Sequence, residues 1–309
     1  MTLRLAVPDL ISNSYFPAAA AVDLGSFREE GLDVSLELIF PVDKAYAALA
    51  AGEIDFVAGS AHSALAAFPE WRGVKLVAAQ GQGMYWFLVM RSDLVTERGN
   101  LSILRGRSIG AAPWVEMGLR GVLREAGLDP VRDDIRIAPV PGATGAGVSF
   151  GITAAKALEE GKIDGFWANG MGTEVAVRRG VGKVVLDIRR GDGPPAAFDF
   201  TMASVAATDD LIGHSPELVA AAVRAIVRTH ERLKQDVGLA AEVGKHLFPT
   251  EEASLIVPLI ERDLPYYDAR ISPEFVERMN AFSRSIGILN GNPAYEEVVA
   301  TQFAPLWAA

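Results

Sequence analysis

The sequence predicts an α/β protein made of two similar lobes with mainly parallel sheets, on two main observations. Strand and helix patterns alternate from the N-terminus, and a short phrase that ends one helix and starts one strand occurs twice. The first copy is Leu49-Ala50-Ala51-Gly52-Glu53-Ile54-Asp55 and the second is Leu158-Glu159-Glu160-Gly161-Lys162-Ile163-Asp164. In each, a helix stops at a Gly able to take the left-handed conformation, and Ile-Asp then leads an apolar strand. A second echo pairs Glu30-Gly31-Leu32-Asp33 with Glu125-Ala126-Gly127-Leu128-Asp129.

The elements follow in order. Leu3 to Val7 reads as a strand, Tyr15 to Glu30 as a helix, Val34 to Phe40 as a strand, Asp43 to Ala51 as a helix and Phe56 to Ala58 as a strand. This βαβαβ order implies a largely parallel sheet covered by helices. Apolar runs at Val74–Ala79 and Met84–Met90 extend the first lobe, and the chain leaves it near Arg91. The second lobe repeats the plan: strand Ser108–Ala112, helix Val115–Glu125, strand Ile135–Val140, helix Thr153–Glu160 and strand Gly165–Ala168. Strands at Val184–Asp187 and Phe200–Ala206 follow. From Ser215 onward the pattern is helical, with Ser215-Pro216-Glu217 and Ser272-Pro273-Glu274 as start signals. These helices are expected to wrap the first lobe.

Length and composition bound the function. The 309 residues suit two domains. The 29 Lys and Arg against 39 Asp and Glu give a formal charge of -10, which argues against a nucleic-acid partner. With no Cys, disulfides, thiolate metal sites and cysteine nucleophiles are excluded. No apolar run approaches the ~20 residues of a membrane-spanning helix, so a soluble protein is expected. Met1 to Val7 enters a strand without a signal-peptide pattern. That leaves a periplasmic protein whose export signal was removed or missed, or a cytoplasmic one if the chain is complete.

Sheets of this kind bind ligands beyond the carboxyl ends of their strands, so the loops there hold the candidate residues. After the first strand, Asn13, Ser14 and Tyr15 open a helix, either as cap and core or as ligand contacts. After the third strand come Ser60, His62 and Ser63. For His62 three readings stand: a satisfied buried histidine, a ligand hydrogen bond, or a general base. The other histidines, His214, His230 and His246, lie in the helical tail and suggest no metal cluster. Gln80 ends a strand, and Trp114 follows Pro113 at a helix mouth, where its face could stack on a ring. Glu116, with Glu174, could receive an amine, although first-turn carboxylates also serve the helix dipole. Thr144 sits in a Gly-rich loop that fits neither the dinucleotide nor the Walker pattern. Asn169 ends the second copy of the repeat, beside Trp167. None of these loops carries Arg or Lys, so an anion would depend on helix N-termini.

Several phrases carry a family resemblance: Asn13-Ser14-Tyr15-Phe16-Pro17, Phe27-Arg28-Glu29-Glu30-Gly31-Leu32-Asp33-Val34, Leu49 to Asp55, Leu88-Val89-Met90-Arg91-Ser92-Asp93, and Leu104-Arg105-Gly106-Arg107-Ser108-Ile109-Gly110. Together they resemble the nitrate/sulfonate/taurine branch of ABC-transporter substrate-binding proteins, which includes the NMT1/THI5-like group. The resemblance implies a type 2 periplasmic-binding-protein-like fold with a two-crossing hinge near Met90-Arg91 and Phe200-Thr201. Lobe 1 would be 1–90 plus 201–309, and lobe 2 would be 91–200. It further implies a monomer that closes on a small sulfonate, aryl or heterocyclic ligand and meets an ABC permease, without catalysis, metal or cofactor. Asn13, Ser14, Ser60, His62, Gln80, Trp114, Thr144 and Asn169 would touch the ligand. The same family includes enzymes: its desulfinases and pyrimidine synthases use Cys, which this chain lacks, and menaquinone-pathway relatives remain an alternative. A ligand sensor is the third reading.

Overall fold

The computed structural model describes residues 2–95, 97–143 and 149–308. Among these described residues ten strands form two five-stranded sheets. They are β1 (Leu3–Val7), β2 (Val34–Leu38), β3 (Phe56–Ser60), β4 (Val74–Gly81), β5 (Phe87–Arg91), β6 (Ser108–Ala111), β7 (Arg136–Ala138), β8 (Gly165–Ala168), β9 (Gly182–Asp187) and β10 (Ala203–Thr208). The first sheet runs β2-β1-β3-β10-β4 and the second β7-β6-β8-β5-β9. Position by position the two orders match, and in both the fourth strand alone is antiparallel.

That fourth strand is exchanged between the lobes. β5 follows β4 in sequence yet pairs with β8 and β9, while β10 follows β9 yet pairs with β3 and β4. The apolar run 84–90, which the sequence pattern assigns to the first lobe, therefore forms its strand in the second sheet. The first crossing falls at 82–86, ahead of Met90-Arg91, because an apolar strand carries no mark of which sheet it joins. The two crossings touch: Met84 N–H donates to the Phe198 carbonyl at 2.8 Å.

The duplicated phrase has the same geometry in both lobes. Helices α1 (Phe16–Asp23), α2 (Ser26–Glu29) and α3 (Val42–Ala50) serve the first sheet; α4 (Glu116–Glu125), α5 (Phe150–Glu159) and α6 (Gly170–Arg178) serve the second. Gly52 (φ 70°) and Gly161 (φ 68°) stop α3 and α5 in the left-handed region. The next N–H groups, of Glu53 and Lys162, reach back to Ala48 and Ala157 carbonyls at 2.9 Å each, closing Schellman turns. The following aspartates then pin the neighbouring strands. Asp55 accepts from Arg4 N–H at 2.7 Å, and Asp164 accepts from Ser108 N–H at 2.9 Å. The helix expected over 15–30 is broken into α1 and α2 at Gly25, whose φ is 77°.

The tail consists of α7 (Asp209–His214), α8 (Pro216–Gln235), α9 (Leu239–Leu247), α10 (Thr250–Ala253), α11 (Ile256–Asp263), α12 (Pro273–Ser285) and α13 (Tyr295–Val298). It does not serve the first lobe alone. Val219, Val223 and Ile226 of α8 join the core that holds β1, β3 and β4. By contrast Val243, Ile256 and Ile260 pack with Val89, Phe166 and Val175 of the second lobe and with Phe16 of α1. The buried Asp263 fixes this strap, taking Arg190 at 2.6 Å, Arg189 at 3.4 Å and Asn13 at 2.7 Å.

Candidate functional site

The carboxyl ends of β1, β6 and β8 meet where the lobes face one another. The loop after β1 is held by its own short side chains: Ile11 N–H donates to Asp9 Oδ1 at 3.1 Å and Ser14 N–H to Ser12 Oγ at 3.1 Å. Its Asp9 then reaches across the gap. Oδ2 accepts from Ser149 Oγ at 3.2 Å and from Asn169 Nδ2 at 3.0 Å, both on the second lobe. Asn169 is placed by a further duty, because its Oδ1 caps α6 by accepting from Met171 and Gly172 N–H.

Around this bridge lies an interlobe cavity of about 40 Å³. Pro8, Asp9, Ser14, Tyr15, Phe40 and Val42 line it from one side, and Ala112, Pro113, Val115, Phe150, Ala168 and Asn169 from the other, with Trp86 of the crossing between. Phe40 and Phe150 stack across it with centroids 6.4 Å apart. Such a space holds about one water, whereas small-molecule sites are typically several hundred Å³. A ring-sized ligand enters only if the lobes separate.

Burial pushes the Asp9 carboxyl up to about 7, against the lowering effect of its bonds from Ser149, Ile11 and Asn169. Two further carboxylates flank the cavity beside lining residues, Asp43 next to Val42 and Glu116 next to Val115. Each has one buried oxygen without a hydrogen-bond partner among the described residues. Burial raises the Glu116 pKa, and the like charge of Asp43 adds to the rise while Arg120 opposes it.

The residues singled out from sequence are distributed unevenly. Ser14, Tyr15 and Asn169 line the cavity; the Ser14 Oγ is buried there without a partner among the described residues, and Tyr15 OH bonds Tyr85 OH at 3.0 Å. Asn13 lies alongside, turned to Asp263. Glu116 sits at the rim. Ser60 and Ser63 are fully buried and bond each other at 2.6 Å, away from the lining. Gln80 ties α1 to β10, accepting from Ala18 N–H and donating to the Ser204 carbonyl. His62 is caged by Trp86, Trp114 and Phe282, its Nε2 is 3.3 Å from the Trp114 carbonyl, and burial lowers its pKa to about 4. Trp114 takes a left-handed backbone (φ 67°) and packs its ring 6.3 Å from His62, while its neighbours Pro113 and Val115 face the cavity. Thr144 lies outside the described residues. Trp167, expected near the cleft, is wholly buried and donates to the Val115 carbonyl.

Asp9, Phe40, Val42, Trp86 and Phe150 also line the cavity, and the sequence pattern does not mark them as site residues. Asp9 had a visible signal, being the one charged residue in the loop after β1. A larger open groove of about 810 Å³ lies on the helical tail near His230 and Trp307. Of its charged residues, Lys234 pairs with Glu231 and Arg270 with Asp268. Among the described residues no group of three or more His, Asp or Glu is placed to hold a metal ion, and no helix is long and apolar enough to cross a membrane.

Comparison with solved structures gives the same fold at low identity. A putative periplasmic sulfonate-binding protein of a sulfonate ABC transporter from Methylobacillus flagellatus KT aligns with a TM-score of 0.69 and 19% identity, over 99% of this chain and 93% of that one. A ligand-binding component of an ABC-type import system from Staphylococcus aureus aligns at 0.76 and 13%, over 100% and 99%. The periplasmic nitrate-binding protein of Synechocystis PCC 6803 aligns at 0.71 and 14%, over 99% and 88%. No curated protein sequence matches. The sequence family described as NMT1/THI5 like matches residues 13–236, most of both lobes, and the chain belongs to that family.

Proposed function

We propose that this protein is the solute-capturing component of an ABC importer, holding a small organic ligand between its two lobes and presenting it to a membrane permease. One observation carries the reading: a cavity lined from both sheets, with Asp9 of one lobe hydrogen-bonded to Ser149 and Asn169 of the other. The neighbours described as sulfonate- and nitrate-binding components support it, and their periplasmic setting supports a periplasmic location here. In this reading lobe 1 comprises β1–β4 and β10, lobe 2 comprises β5–β9, and hinge motion occurs at 82–86 and about Phe200-Thr201. Ser14, Tyr15 and Asn169 act as ligand contacts beside Asp9, whereas His62, Ser60, Ser63 and Gln80 hold the cleft walls.

A thermal-shift panel of arylsulfonates, aryl carboxylates, aromatic amines and nitrogen heterocycles tests it. At a hundredfold excess over Kd a ligand adds about 2.7 kcal/mol, enough to raise Tm by several degrees. Val115→Trp, which fills the cavity, removes the shift. A shift that persists in Val115→Trp contradicts the site. An enzyme on this scaffold is the rival reading, and conversion of the bound compound, followed by mass spectrometry, would establish it.

A further inference from the structure

We propose that α4 is a lever balanced on the two crossings, and that the pocket at its far end is the space into which the back of the hinge closes when the cleft opens. Filling that pocket therefore holds the lobes shut without touching the cleft. The inference deepens the two-lobe reading above and rests on it.

Three contacts follow one another along the helix. At its start, Pro113 and Val115 line the interlobe cavity. Midway, Gly118 and Gly121 rest on both crossings. A Cβ at 118 would lie 2.8 Å from the Trp86 ring and 3.0 Å from Met84 Sδ, and one at 121 would lie 2.7 Å from the rings of both Phe200 and Phe282. Packed carbon atoms sit about 3.5–4.0 Å apart, so a larger residue at either position would lift α4 off the crossings. At its end, Arg124 donates to the Ser285 carbonyl at 2.7 Å and to Ser285 Oγ at 2.6 Å. The rise from 115 to 124 is about 14 Å, with the glycines in the middle.

The far end faces the first lobe across open space. Ser285 closes α12, which Trp71 of that lobe holds by donating Nε1 to Asn280 Oδ1 at 3.1 Å. Between α4 and α12 lies a pocket of about 520 Å³, walled by Glu125, Pro195, Ala196, Arg278 and Ala281. Phe200 and Phe282 also line it, stacked with centroids 4.3 Å apart and planes inclined by 11°.

A rigid helix turning about its middle moves its two ends in opposite senses. As Val115 leaves the first lobe, Arg124 and Glu125 swing toward α12, and the rear pocket supplies the clearance. Close-packed side chains yield little, so a group seated in that pocket stops the swing. It shifts the equilibrium toward closed lobes because the open state has no room for it.

The chain has no Cys, so Lys44→Cys on α3 and Lys156→Cys on α5, both exposed, take one spin label on each lobe and none elsewhere. Pulsed electron paramagnetic resonance then reads the interlobe distance in this parent, in Val115→Trp, and in Val115→Trp combined with Ala281→Trp or Ala196→Trp. Both rear positions are exposed, and near-ultraviolet circular dichroism checks that each variant is folded. The indole at 115 does not fit the closed cavity and is expected to shift the distance longer. Either rear indole is expected to shift it back toward the parent value. In urea, the front and rear indoles oppose one another and should destabilise by more than the sum of the single variants, whereas independent sites this far apart add. A distance lengthened by Val115→Trp that neither rear indole shortens, or strict additivity in urea, overturns the lever while leaving the hinge. An unchanged distance in folded Val115→Trp overturns opening at this cleft, and with it the reading on which the lever rests.

Discussion

Asn169 donates its Nδ2 to Asp9 Oδ2 at 3.0 Å while its Oδ1 accepts two amides at the start of α6. One side chain thus fixes a helix end in the second lobe and meets the carboxylate of the first. The arrangement ties the strength of lobe contact to the order of a single helix turn.

Asn169→Ala removes both roles at once. Loss of the cap alone costs about 1 kcal/mol, and Asp9 loses one of its two cross-lobe donors. Urea unfolding should show a destabilisation of about 1–3 kcal/mol. Asn169→Asp keeps the cap and should restore part of that stability, but it sets a second carboxylate against Asp9. Its deficit should therefore grow as pH rises. Equal behaviour of the two variants at every pH would contradict the bridge.

Asp9 is a carboxyl whose folded pKa, about 7, lies above its ordinary value of 3.8. The folded state holds its proton more tightly than the unfolded chain does, so the associated stability is complete below pH 4 and is lost as pH rises through 7. A shift of this size corresponds to about 4 kcal/mol. Asp9→Asn should therefore gain on the native protein by a few kcal/mol between pH 4 and pH 8 in denaturant midpoints. A constant difference across that range would show that Asp9 ionises freely in the folded chain.

His62 and His230 behave in the opposite sense. Burial lowers both to about 4 from 6.5, so the unfolded chain binds protons first and stability falls as pH drops from 6.5 toward 4. Each can contribute up to about 3 kcal/mol of this loss. His62→Gln should flatten the acid limb of the stability profile, and a profile parallel to that of the native chain would contradict the caged, neutral imidazole.

Asp263 joins Arg189, Arg190 and Asn13 at the strap between the lobes. Removing one partner of a buried ion pair costs about 3–5 kcal/mol because the other charge is left behind. Asp263→Ala should lower stability by that amount. Hydrogen exchange should rise in both α11 and the loop Asn13–Tyr15. Faster exchange in α11 alone would show that the strap does not hold the first lobe.

Much of this architecture is legible in the chain because local chemistry writes it. Gly52 and Gly161 announce their turns, and the Ile-Asp that follows each announces a strand with bounds close to those observed. β5 shows the limit. Its apolar run predicts a strand, but the partner strands are set by lobe exchange, which leaves no local trace. Trp114 shows another, since a left-handed backbone at a non-glycine residue is rarely adopted and redirects the ring toward His62. At the cleft, hydroxyls and amides stand out in the sequence by type, and Ser14 and Asn169 do line the cavity. Ser60 and Ser63 satisfy each other instead, a pairing fixed by three-dimensional packing. Asp9 was readable as the lone charge beyond β1; its meaning came only with the burial that the opposite lobe provides.

The most direct test of the central claim, a ligand held between the lobes, is hydrogen–deuterium exchange with and without the panel compound that raises Tm most. The account predicts simultaneous protection of residues 8–15 and 40–42 in one lobe and of 112–118 and 168–173 in the other. Protection confined to one lobe, or to the tail groove around His230 and Trp307, would contradict it.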